Sequence, residues 1–139
     1  MKRNGPINES RAVKHLMDLL AIEGQDLERA QTLAEEAQRA LPEQPEAIDT
    51  VGYVYFRKGH HEAALRQLRR AIALAEAQRG EAPPTFHYHV GLTLSALERN
   101  AEAAAAFERA LALDSEFVGA VDARRQLEAA RRADAASSS

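Results

Sequence analysis

Six positions between residues 51 and 71 of this chain recur 39 residues further on, and this internal repeat restricts the possible architectures more than any other feature of the sequence. At that offset Val51, Gly52, Tyr55, Ala64, Leu68 and Ala71 become Val90, Gly91, Leu94, Ala103, Phe107 and Ala110, the same residue or size class each time. A weaker copy precedes them. Subtracting 34 turns Ala64 and Ala71 into Ala30 and Ala37, and subtracting 35 turns Val51, Tyr55 and Gly59 into Leu16, Leu20 and Gly24. The change of offset places a one-residue insertion near Gln25 and Asp26. Self-similar units of this size fold by stacking, because no unit buries its apolar face alone.

Each copy reads as a helical hairpin. Ile48, Val51, Gly52 and Tyr55 fall at i, i+3, i+4 and i+7, one stripe of a first helix, and Gly59 interrupts the pattern where a turn is needed. Ala64, Leu65, Leu68, Ala71 and Ile72 repeat the spacing on a second helix. The small residues let the two backbones approach, while Tyr55 and Leu68 fill the volume beside them. A glycine inside a helix costs roughly 1 kcal/mol of propensity, so Gly52 implies a packing reason. Composition agrees: among 139 residues there are 29 alanines, 7 glycines, 3 tyrosines, 4 phenylalanines and no cysteine or tryptophan. Such a chain is expected to be all-α, which argues against sheet-based nucleotide and hydrolase folds.

The pattern Ile48-x-x-Val51-Gly52-x-x-Tyr55, Gly59, Ala64-x-x-x-Leu68-x-x-Ala71 closely resembles the tetratricopeptide repeat, a helix-turn-helix unit. The third copy matches through Val90-Gly91-x-x-Leu94 and Ala103-x-x-x-Phe107-x-x-Ala110, with Asp114 near the repeat's end. The first copy departs from the pattern at Met17 and Ala34, and Pro42 stands where the family often closes a repeat. The resemblance covers about residues 10–117 and implies a right-handed superhelical stack of antiparallel helix pairs, an α-α solenoid of about seven helices, of bacterial type. It implies a protein-binding scaffold and no cofactor.

Helix signals set the expected boundaries. Residues 1–9 form an extension, repeats occupy about 10–44, 45–83 and 84–117, a capping helix spans 118–132, and 133–139 is a disordered tail. Ser10 or Asn8 can cap the first helix, Pro42 and Pro45 separate two copies, and Pro83 with Pro84 opens the third. The five extra residues of the 39-residue spacing fall in Ala73–Arg79, read as about one more turn of helix before Gly80. Ala120, Val121, Ala123, Leu127 and Ala130 are expected on one side of the capping helix.

In a tetratricopeptide stack the first helices line a concave groove. The resemblance therefore directs Lys14, Asp18 and Ala21 of the first copy, Asp49, Tyr53, Phe56 and Arg57 of the second, and Tyr88, Leu92 and Ser95 of the third towards that groove. Exposed aromatics anchor peptides well, since a rigid ring covers much area at low entropic cost. Phe56 and Tyr88 have an alternative use as packing between copies. The partner-binding set is Lys14, Asp18, Asp49, Tyr53, Phe56, Arg57, Tyr88 and Leu92, with Tyr53 foremost. Family members that clamp acidic chaperone tails do so with Lys, Asn and Arg side chains; the corresponding places hold Lys14, Asp18, Thr50, Thr85 and His89. Only Lys14 fits and Asp18 would repel a carboxylate, so that clamp is not expected.

Other functions find less support. His61-Glu62-Ala63-Ala64-Leu65 begins like a zinc-protease helix, but Leu65 occupies the place of the second ligand. His60 and His61 are assigned to a turn, His87 and His89 to polar positions at a helix start, and His15 with Asp18 to a surface pair. No metal site and no catalytic residue is expected. Eighteen basic against 21 acidic residues, interspersed, do not form a nucleic-acid surface. Nothing approaches the roughly 20 apolar residues of a membrane span. The expected partner is a peptide or helix of another protein, with cytoplasmic location, or periplasmic if the chain is an excised domain. The alternatives are self-association through ends near Met17 or Val121, and assembly of a bacterial envelope or polysaccharide system. The bacterial reading draws on 15 arginines against 3 lysines.

Overall fold

A computed structural model describes residues 26–137. Six helices follow one another: α1 (Leu27–Ala40), α2 (Pro45–Arg57), α3 (His61–Arg79), α4 (Pro84–Ala96), α5 (Asn100–Leu113) and α6 (Ala120–Ser137). They form an all-α stack, with no strand among the described residues. The expected first helix of the first copy, with Lys14, Asp18 and Met17, lies outside the described residues.

Local chemistry sets the ends. The Asp26 carboxylate accepts from the Arg29 backbone N–H at 3.2 Å to cap α1. Pro45 and Pro84 open α2 and α4 at the first helical position, where a missing N–H costs nothing. The extra turn expected before Gly80 is present: α3 has 19 residues and stops at Gly80, whose φ of 88° is left-handed.

Two hairpins, α2/α3 and α4/α5, are superposable in their chemistry. A Cβ on Gly52 would sit 2.7 Å from the Leu68 side chain, and one on Gly91 would sit 2.5 Å from the Phe107 ring. The glycines are where the two helices of each pair touch. Ala64, Ala71, Ala103 and Ala110 are fully buried, and Ala30 and Ala34 nearly so. Ala37 is only half-buried. One continuous core joins α3 to α6 through Leu65, Leu68, Val90, Leu94, Phe107, Phe117 and Leu127.

Each helix packs on the next, and α2 also touches α4, as α4 touches α6; among the described residues α1, α3 and α5 make no such mutual contact. The stack therefore curves with α2, α4 and α6 on its inner side. The capping helix differs from expectation at both ends. It begins at Ala120 and continues through Ser137, so the expected tail is helical to that point, since alanine and arginine supply no breaker. Val121 was expected on its buried side, yet it is 76% exposed, because the seam follows Ala120, Ala123, Leu127 and Ala130.

Candidate functional site

The inner layer carries a row of rings that crosses two repeat boundaries. On α2, Tyr53 lies 6.0 Å from Phe56, nearly parallel, and the Arg57 guanidinium sits 6.0 Å from the Tyr53 ring centre. Tyr53 then stacks on His89 of α4 at 4.4 Å. His89 neighbours Tyr88 at 5.9 Å, and Tyr88 meets the edge of Phe117 at 5.8 Å. Tyr53, Phe56, Arg57, Tyr88, Leu92 and Ser95 are all half-buried. Phe56, Tyr88 and Leu92 also rest on the continuous core, so they pack between units and present a face at once.

Two polar pairs close the joints beneath these rings. His89 Nδ1 lies 2.9 and 3.1 Å from the two oxygens of Asp49, and both side chains are 5% exposed. With a carboxylate as acceptor, the proton resides on Nδ1. At the next joint the Tyr88 hydroxyl donates to Asp122 of α6, which also receives Arg125. Burial and the Asp122 bond push the Tyr88 phenol well above its ordinary range. Burial works to raise the Asp122 carboxyl, but Tyr88 and Arg125 together hold it below its usual value.

A family model described as "Tetratricopeptide repeat" matches residues 45–78 and 84–117, the segments that carry α2/α3 and α4/α5. These two segments are tetratricopeptide repeats. The "first TPR domain of the human RPAP3 protein", solved by NMR, is similar in fold, with a TM-score of 0.76 over 95% of this chain and 96% of that one at 20% identity. No curated protein matches the chain. In repeat register Tyr53 corresponds to Leu92, and Asp49 to Tyr88, 39 residues apart. The two tyrosines therefore occupy different places of their repeats, although both face the inner layer.

Asp49 departs from its expected role as an open groove group: it is buried because His89 of the following repeat sits on it. His89 likewise is a buried inter-repeat residue and not a polar helix end. The Asp49–His89 pairing has no signature in the 39-residue period, since its partners stand 40 residues apart, and the 34 residues between Tyr88 and Asp122 are not the offset of that period either. At the same offsets Asp49 corresponds to Tyr88 and Lys14, and His89 to Thr50 and His15, so no copy repeats the pair. Lys14 and Asp18 lie outside the described residues. His60 and His61 take up the turn and first position of α3. Among the described residues no group of three His, Cys, Asp or Glu side chains could hold a metal ion. An open cleft of about 400 Å³ at the α5–α6 turn is lined by Glu116, Phe117, Val121 and Arg124, and holds none of the groove residues.

Proposed function

We propose that the chain is a non-catalytic scaffold that binds a peptide or helix of another protein on the inner layer of its repeats. The observation that carries this reading is the half-buried row of Phe56, Tyr53 and Tyr88, with Leu92 also half-buried on the same helix layer, on the side towards which the stack curves. Tetratricopeptide domains mediate protein–protein interactions, and the fold matches one such domain. Burial of the partner's apolar side chains against the rings supplies affinity, and Arg57, which has no carboxylate partner among the described residues, sets polarity at one end. Lys14 and Asp18 extend the same surface in the proposal, on the sequence alone. The cytoplasmic location rests on the sequence alone too. Among the described residues no helix is long and apolar enough to cross a membrane.

The test is a displayed peptide library selected on the purified chain, followed by affinity measurement of the selected peptides by fluorescence anisotropy. Tyr53→Ala with Phe56→Ala is expected to weaken binding at least tenfold, the ordinary cost of truncating interface anchors of about 1.4 kcal/mol or more. Unchanged affinity refutes the surface.

A second reading, self-association, is favoured by one observation: Val118 and Val121 are 96% and 76% exposed beside the cleft at the α5–α6 turn. Sedimentation of the full chain decides it, because a concentration-independent monomer removes that use of the valines. The similar solved structure is human, so the fold carries no argument for a bacterial envelope role.

A further inference from the structure

We infer that Asp49 and His89 are positioning residues of the groove, holding the Tyr53 ring as a preformed shelf that bridges two repeats. The inference rests on the groove reading above and names the device that makes the groove rigid. Asp49 and Tyr53 are four residues apart on α2, so they stand on one face of that helix. Both reach the same imidazole. Asp49 grips its edge with two oxygens at 2.9 and 3.1 Å, while Tyr53 covers its face at 4.4 Å with 26° between the planes.

The carboxylate fixes the ring because a buried, doubly approached Nδ1–H has one orientation. Rotation of the imidazole would leave a buried carboxylate without its partner, which is costly. The fixed imidazole in turn leaves Tyr53 one stacked position, and Phe56 continues the shelf in a plane 25° from that of Tyr53. Buried polar pairs are often no better for stability than apolar residues of the same size. What the pair adds is orientation. A ring already held in place loses no rotamer freedom when a flat or aliphatic partner side chain lies on it.

Heteronuclear NMR of the full chain tests this without a ligand, with the Tyr53 ring protons assigned through Tyr53→Phe. In the wild type, nuclear Overhauser contacts are expected between the Tyr53 ring and the His89 carbon-bound protons, together with ring-current displacement of the Tyr53 signals. Asp49→Asn retains an acceptor for Nδ1–H and should leave both in place. The double variant Asp49→Leu with His89→Leu replaces the pair by apolar residues and should fold, as circular dichroism would show, but move the Tyr53 signals and broaden them as the ring gains freedom beside Phe56. Absence of the wild-type contacts overturns the inference even if the double variant does not fold, and so do Tyr53 shifts that the double variant leaves unchanged. Failure of the groove reading is separate: peptide affinity indifferent to Tyr53→Ala, with the ring contacts intact.

Discussion

Gly91 lies against a fully buried Phe107 ring, with 2.5 to 2.8 Å between its missing Cβ and three ring atoms. A packed ring cannot withdraw, so Gly91→Ala is expected to destabilise the chain by roughly 1–3 kcal/mol, the usual cost of overpacking, read from urea unfolding midpoints. The opposite sign applies in the turn after α4. Glu98 has a φ of 60°, whereas its counterpart 39 residues earlier is Gly59 at 86°. The turns match: His60 N–H donates to Tyr55 C=O and Arg99 N–H to Leu94 C=O, both at 2.9 Å. A side chain in the left-handed region costs roughly 1–2 kcal/mol, so Glu98→Gly should stabilise by about 1 kcal/mol and raise the melting temperature by a few degrees in calorimetry. Gly91 was open to sequence reading, because a packing glycine recurs at a fixed offset, whereas Glu98 breaks the recurrence of the turn glycine. Asp49 and His89 were not open to it, since the reason for each is the other, across a joint.

Helices α3, α4 and α5 meet around His87, whose Nε2 is buried without a hydrogen-bond partner among the described residues. Burial lowers its pKa first, Arg109 adds to the effect, and Glu76 opposes it. The neutral form therefore predominates in the folded chain at pH values where the unfolded chain, with an ordinary value of 6.5, already binds a proton. Below pH 6.5 the unfolded state holds more protons, so stability falls as pH falls and the loss levels off once the folded pKa is passed. His87→Leu should flatten that part of the profile, seen in urea midpoints measured from pH 7.5 to 5, and an unchanged slope assigns the effect to other groups. At the scale of elements the periodicity located α2 to α5 and the long α3. It misjudged α6, where the run of alanine and arginine hides which stripe is buried and continues the helix to Ser137.

The whole molecule is a row of units in which each helix pair is stable only through its neighbours. Which side is concave followed from family resemblance and not from periodicity, since hydrophobic stripes mark the contacts between helices and are silent on curvature. The inner-layer contacts α2–α4 and α4–α6 supply it, and they place the two Asp-to-ring pairs at successive joints. The α6 end is closed by charge: Arg124, Arg125, Glu128, Arg131 and Arg132 are all exposed, while Leu127 and three alanines turn inward. Its buried stripe covers the core of the α4/α5 repeat. Removal of residues 120–139 uncovers that core and frees Tyr88 from Asp122. Losing the burial of Leu127 and its alanines, and opening Phe117 to water, should cost at least ~3 kcal/mol. The expected result is a large drop in urea midpoint with binding of a hydrophobic dye, and a truncated chain that melts like the full one would make α6 an appendage instead of the cap.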